Sequence, residues 1–417
     1  MKNIEYSKYI SWKMLGWLFA IQLLIALVAR SLAPLGIIIG DDLQLTKSQI
    51  GMFPAALFLG QSLISIPAGL LTDKIGSRKM IFFIVLLLGC SFLIISISTS
   101  FILLLFLISI AGFAYGASHP ATNRGILLWF SVKTRGTAMG LKQMGVTLGS
   151  ALATIILLPI AKSLGWQSAT FTAALILLVV GVLICSMYSE PRSIGYVRNT
   201  NQTKPTSRKI DFKNIIQMLK HKGLILITFS AMLLSGSQMI LNTFIILFAH
   251  EKIGISLLLS GVLLVIAELG GSLGRVSWGI ISDHLFRGKR IIVLLLISIL
   301  VAMISLIIAL LPHGTSFYNI AFIVFIFGFG TSGFNGVWMN ATTEIVHPSV
   351  SGLATGFSIT FGSWGVIFFP PIFGSIIDQT GEYTISWLFV TFLMVLSIIS
   401  LSITLKSNGG TKIHKLD

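Results

Sequence analysis

Charge is what this sequence has least of. Only 10% of its 417 residues are Asp, Glu, Lys or Arg, against about 25% in an ordinary soluble domain. Acids are scarcer than bases, 13 against 29. With 55% hydrophobic residues and a mean hydropathy of +0.94, that scarcity excludes a water-soluble globular chain. Cysteine is nearly absent. Cys90 and Cys185 both fall in apolar runs, which excludes a disulfide framework and a thiolate metal site. The apolar runs hold no His/Asp/Ser or metal-ligating cluster, so neither an intramembrane enzyme nor a cofactor is expected. Long polar segments are missing too, except the basic stretch from Ser189 to Asn214.

What is there is oil, in lengths near the roughly 20 residues a bilayer-spanning helix needs. Apolar runs between polar breaks predict helices at 11–39, 48–71, 79–98, 101–129, 135–161 and 166–188. A second set follows at 222–249, 256–282, 289–311, 315–342, 348–376 and 383–405. The first run has no small-residue cleavage site and exceeds a signal-peptide core, so it is expected to stay as a span. The predicted fold is an all-α integral membrane protein with twelve transmembrane helices in two pseudo-symmetric six-helix bundles. These occupy residues 1–188 and 222–417, joined by a linker over 189–221. The formal charge of +16 does not point to nucleic acid, because the bases keep to the ends and every second loop. Only Lys47, Lys162 and Lys252 fall in the other loops. That positive-inside bias predicts the cytoplasmic membrane with both termini cytoplasmic.

The halves read as copies. At an offset of 210, Gly51, Gly60, Gly69 and Asp73 fall on Gly261, Gly270, Gly279 and Asp283. At an offset of 216, Gly112, Gly136, Gly140, Gly149 and Gly165 fall on Gly328, Gly352, Gly356, Gly365 and Gly381. In lipid no hydrophobic force draws helices together, so small residues are needed to let backbones approach. Two related glycine-rich membrane halves point to an alternating-access fold.

"GLLTDKIGSRKM", Gly69 to Met80, resembles the loop motif between the second and third helices of the major facilitator superfamily, Gly-x-Leu-x-Asp-Arg-x-Gly-Arg-Lys. Lys74 and Ser77 stand where arginines are common. The second copy, "GIISDHLFRGKR", keeps the motif in looser spacing. The resemblance implies a transporter, expected to work as a monomer. It makes Gly69, Asp73, Gly76, Arg78, Gly279, Asp283 and Arg287 gating-motif positions, with Asp73, Arg78 and Asp283 in latches that break as the halves rock. "ARSLAPLGIIIGDDLQLTKSQIG" and "GASHPATNRGILLWFSVKTRGTAMG" resemble the anion:cation symporter branch, with Ala29 where an aspartate often precedes the arginine. "GRVSWGIISD" is similar to the eighth helix of oxalate/formate-type exchangers, whose arginine binds a carboxylate. The lysine of their eleventh helix has no counterpart between Pro348 and Ile376.

Four bases lie in predicted helices away from the first residues of the run, Arg30, Arg124, Lys142 and Arg275. An arginine at the bilayer centre costs about 2.5–3.5 kcal/mol on insertion scales, so it normally faces the bundle interior with a task. Arg30 lies about 15 Å in from Gly40 and Arg275 about 12 Å in from Asp283 at the helical rise. One in each half, they are the candidate anion clamp, since a guanidinium fork suits a carboxylate. Glu268, the one acid near mid-membrane, shares a helix face with Arg275 and is expected to hold it or to carry a proton. His119, on a face with Tyr115 and Asn123, is the second proton candidate. Ser235, Gln238 and Asn242 share one face of the seventh helix and suit a ligand or a neighbouring helix. Asn335, Trp338, Trp364 and Gln61 are further lining candidates. Arg124 is expected to snorkel, Lys142 to gate or touch the anion, and Gly333 and Gly336 to loosen the tenth helix.

The expected activity is transport of a small organic anion of carboxylate type, coupled to H+, through the lipid bilayer and with no nucleic-acid partner. The competing readings are export of drugs or other hydrophobic solutes, carriage of nitrate or a phosphate ester, and a sensor built on a transport fold.

Overall fold

The computed structural model describes residues 2–191, 221–346 and 351–409. Most of the expected linker, residues 192–220, lies outside them. Every regular element among the described residues is helical. The first half holds α1 (Lys2–Ala29), α2 (Leu32–Asp42), α3 (Lys47–Ile75), α4 (Ser77–Ile95), α5 (Phe101–Trp129) and α6 (Val132–Met187). The second holds α7 (Lys222–Leu247), α8 (Leu257–Ile280), α9 (Arg290–Ala309), α10 (Phe317–Thr331), α11 (Phe334–Glu344), α12 (Ser351–Thr380) and α13 (Tyr383–Gly409).

Ten of the described helical segments are long and apolar enough to cross a bilayer, and α3, bent by 56° before Pro67, makes an eleventh. The twelfth crossing is inside α6, where Gly165 takes a left-handed φ of 85° that an L side chain would resist. Near one end of α6, Arg135 donates to Phe130 O at the end of α5. Near the other, Cys185 O accepts from Arg78 at the start of α4. Both ends of α6 therefore lie at one face. Trp166, beside the break, bonds Asp42 at the opposite face. The chain turns back at Gly165, and α1 begins on the face where α13 ends.

Two crossings are broken in mid-membrane, and each break has a local cause. Pro34 has no N–H to give the Arg30 carbonyl, so Ala33 N takes that oxygen at 3.3 Å and the helix restarts as α2. The other break, Ser332–Gly333, separates α10 from α11. Gly333 is close-packed, because a Cβ there would strike the Phe329 carbonyl and the Trp278 ring.

Part of the glycine repeat is a repeat of contacts. A methyl on Gly60 would collide with the Ser109 carbonyl and one on Gly112 with that of Leu57, locking α3 to α5. Gly270 meets the Phe325 carbonyl and Gly328 that of Ala267 in the same way, locking α8 to α10. The matched pair Gly51 and Gly261 makes the contacts between halves, Gly51 on Pro370 of α12 and Gly261 on Thr154 and Leu158 of α6. Buried apolar residues gather in two cores, one from Met14 to Tyr188 and one from Ile227 to Leu401 that also takes in Ile37 and Ile50.

The face opposite the termini is shut. Asp378 accepts from Lys47 N and Ser48 N at 2.8 Å each, capping α3 from the other half, and Glu251 bridges the Lys47 ammonium and the Tyr383 hydroxyl. On the termini face, the sites of a Cβ at Gly136, Gly140, Gly279, Gly336 and Gly356 are open space. Asp378→Ala removes two charge-assisted bonds that exist only in this closed arrangement, each contributing about 1.5–3 kcal/mol. The expected result is at least a roughly tenfold rise in thiol labelling of Phe53→Cys, now 2% exposed, from the shut face. An unchanged rate would remove the cap from the closure.

Candidate functional site

The close packing of α8 on α10 sets the α8 side chain Arg275 beside the break after Thr331, where Gln238 of α7 and Asn335 of α11 join it. Arg275 Nε donates to the freed Ser332 carbonyl at 3.2 Å, Asn335 Nδ2 donates to the same oxygen at 3.1 Å, and Gln238 Nε2 donates to Ser332 Oγ at 2.8 Å. This is the arrangement in which broken helix backbone is tolerated at membrane depth, with its polar groups satisfied by neighbours lining a cavity.

Two helical turns away stands Glu268, 1% exposed, and its partner is not the one its spacing suggested. Seven residues separate Glu268 and Arg275, about 10 Å of helix. The carboxylate instead meets Arg30 Nη1 from the other half at 3.5 Å and accepts from Asn242 Nδ2 at 3.2 Å. Arg30, at the break after α1, also donates from Nε to the buried Tyr115 hydroxyl at 3.2 Å. The set is not saturated, for Arg30 Nη1 and Glu268 Oε2 are buried with no hydrogen-bond partner among the described residues. A pocket lined by Arg30, Phe53, Phe58, Ser150, Met239 and Asn242 adjoins them.

Contacts between the halves continue along α6 and α8. Ser272 Oγ donates to Thr147 Oγ1 at 2.7 Å, and Arg275 Nη1 reaches the Gln143 carbonyl at 3.4 Å. The neighbouring residue of α6, Lys142, is fully buried and turns back to α5 within the first half, donating to Asn123 Oδ1 at 2.8 Å and Thr122 Oγ1 at 3.3 Å. His119 packs its ring edge-on to Tyr115 at 5.8 Å, within the field of Lys142, Arg30 and Arg275.

Seven of the expected residues thus surround one region between the halves: Arg30, Tyr115, Gln238, Asn242, Glu268, Arg275 and Asn335, with His119 beside it. Trp364 is not among them. It is exposed and packs tilted on the Phe361 ring and edge-on to Phe368. Trp338 donates to Ser358 at 2.8 Å and packs α11 on α12.

The loop residues also distribute differently from the sequence pattern. Asp73 is 3.6 Å from Arg124, which turns to it and to the Thr72 carbonyl rather than snorkelling free. Arg78 ties α4 to the end of α6 through the Cys185 and Ser186 carbonyls, and Gly76, at φ 92°, turns against Glu190. Gly69 is loosely packed and Gly279 open. In the second copy Arg287 is exposed, with φ at 49°. Arg290 takes both Asp283 and Glu344, because the turn through Gly288 brings it, and not Arg287, under the carboxylates. The residues that sequence reasoning missed are Ser332, the acceptor at the break, and Asp378. Pro34 was the available signal for the break at Arg30.

The sequence matches the family profile described as Major Facilitator Superfamily over residues 18–370. A probable hexose phosphate transport protein of Chlamydia trachomatis is 24% identical over 78% of this chain and 76% of its own length. The membrane sensor protein UhpC of Escherichia coli K12 is 24% identical over 77% of this chain and 75% of its own. Among solved structures, a bacterial homolog of the human lysosomal transporter Spinster, in an inward-facing and occupied conformation, superposes with a TM-score of 0.73 at 16% identity. It covers 97% of each chain, a likeness of fold.

Proposed function

This chain belongs to the Major Facilitator Superfamily, and from that premise we propose that it carries a small organic anion across the cytoplasmic membrane together with protons. It is a multi-pass membrane transporter and not an enzyme. The observation that carries the anion reading is the meeting of Arg30 from one half and Arg275 from the other around a cluster with a single carboxylate. Two arginines on opposite halves suit a cargo that must be gripped by both as they rock. The name of the Chlamydia relative, a hexose phosphate transport protein, supports an anionic cargo. With the termini in the cytoplasm, as the loop charges favour, the shut face is the outer one and the cavity opens inward.

Glu268 is the proposed proton carrier, because an anionic group that reaches Arg30 must compete with it. A protonated Glu268 yields Arg30 to the cargo, so proton and anion arrive together. Among the described residues the ion pair with Arg30 belongs to Glu268, and none is formed by His119, which favours Glu268 for the role.

Heating purified protein with carboxylates, sulfonates, phosphate esters and nitrate is expected to show stabilisation by one class. Arg275→Gln should weaken that ligand about tenfold or more, the loss of a charged bond costing about 1.5–3 kcal/mol. Stabilisation by neutral hydrophobic compounds alone would sink the anion reading in favour of export. Binding without uptake into vesicles would favour a sensor, the role the Escherichia coli relative is named for.

A further inference from the structure

The pocket that Arg30 lines is otherwise poor in polar groups. Of its eleven lining residues only Arg30, Ser150 and Asn242 are polar, so eight apolar side chains make the walls. Two pairs at helical spacing, Phe53 with Leu57 and Pro54 with Phe58, turn one face of α3 towards it. Met239 of α7 closes it from the second half, and the break after α1 adds the small Ala33. The aromatic walls are held from behind. Phe53 packs against Phe101 at 6.3 Å, and Phe58 lies edge-on to Tyr115 at 6.1 Å.

Its depth follows from α3. That helix starts at the shut face, where Lys47 N meets Asp378, and Phe53 and Leu57 lie about 9 and 15 Å further in at the helical rise. Arg30 is about 15 Å in from Gly40 on the same scale, so the pocket lies between Arg30 and the shut face. Arg275 stands on the other side, two turns of α8 nearer the termini face than the Glu268 that Arg30 meets. An anionic head placed between the two arginines therefore has this recess on its outer side. At the join, Arg30 Nη1 is buried with no hydrogen-bond partner among the described residues.

Resting on the reading that Arg30 receives an anion, we infer that the cargo carries a short, unsubstituted hydrocarbon body, which seats in this recess while its head meets Arg30. Phe58 and Met239 then set specificity for that body, and Ala33 sets its length. A body rich in hydroxyls does not suit the walls. Beyond Arg30 only Ser150 and Asn242 could bond them, and the Asn242 amide already donates to Glu268. A hydroxyl buried without a partner opposes binding. A carboxylate and a sulfonate head meet the same requirement, and matched probes separate them.

The test is ligand-induced thermal stabilisation of the purified full chain by acetate, butyrate and hexanoate, and by the sulfonates of the same chain lengths. Gluconate is the hydroxylated match for hexanoate, and hexanol the neutral one. In the series with the right head, affinity is expected to rise about fourfold for each methylene buried, until the recess is full. Gluconate should bind about tenfold or more weaker than hexanoate. Ala33→Leu, which fills the recess, should remove the gain from the longer members and leave acetate or methanesulfonate as in the parent. Met239→Ala, which enlarges it, should move the gain to longer chains. A merely structural role would shift the melting of the unliganded protein without changing the length at which the gain stops. Affinity that is flat along both series, gluconate equal to hexanoate, or a length dependence unchanged in both variants would overturn the inference and leave the anion reading standing. No response to these or other anions, or hexanol stabilising as well as hexanoate, would overturn the anion reading and the inference with it. The parent's own series decides even where a variant fails to fold.

Discussion

Arg30→Gln is expected to cut uptake by about thirtyfold or more, because a buried charged contact removed from one side costs about 2–5 kcal/mol of binding. The same change should cost stability. Glu268 is 1% exposed and, among the described residues, its carboxylate has only Asn242 as another partner, so losing Arg30 strands a buried carboxylate. Breaking such a pair typically costs about 3–5 kcal/mol. A failure of transport in the single variant is therefore ambiguous between lost binding and lost fold, and a second variant separates them. In Arg30→Gln/Glu268→Gln no charge is stranded, and the melting temperature should return most of the way. Transport should not return, since the guanidinium that faces the cargo is still absent. Arg30→Lys should recover only part, because an ammonium lacks the planar fork and its second bond to Tyr115 would compete with the cargo. The measurements are uptake into vesicles and thermal unfolding of the same three preparations. A double variant that transports like the parent would show that Arg30 serves the fold alone.

How much of this was legible in the sequence follows from what each residue's position depends on. Crossings depend on the length of apolar runs, and those are local, so twelve spans could be counted even where Gly165 joins two helices into one. The repeat was legible because close helix contacts admit only glycine, and Gly60, Gly112, Gly270 and Gly328 each face a carbonyl that a methyl would strike. Arg30 and Arg275 stood out because cations are rare in oil. The partner of Glu268 was not legible. Spacing along α8 relates it to Arg275, but the ion pair forms across the interface between halves, and the register of that interface is written in no single helix. Arg287 and Arg290 show the same limit at a smaller scale, because a left-handed turn decides which of two nearby bases meets Asp283. Pro34 was legible in principle: four residues after Arg30, it removes the bond that would have closed that turn. Asp378 carried no signal, since it caps a helix more than three hundred residues away.

Glu268→Gln is expected to separate transport from its driving force. The parent should accumulate cargo when the outside is acid, gaining up to about tenfold per pH unit for each proton carried, since one unit is worth 1.36 kcal/mol. Glu268→Gln should lose that accumulation and still exchange labelled for unlabelled cargo across vesicles at equal pH. Three consequences of the geometry make the pattern specific. The substituted side chain would keep an oxygen for the Asn242 amide, so the local fold is retained. Arg30 would lose its competitor, so cargo should bind more tightly than in the parent near neutral pH. That affinity should also stop improving as pH falls, because the parent's improvement comes from protonating the group that holds Arg30. A structural carboxylate would give the opposite signs, with weaker binding from a disordered Arg30 and proton-driven accumulation intact. If accumulation persists in Glu268→Gln and disappears in His119→Gln, the proton travels on the imidazole beside Tyr115, and the Arg30–Glu268 pair is a hinge of the interface and not its coupling element.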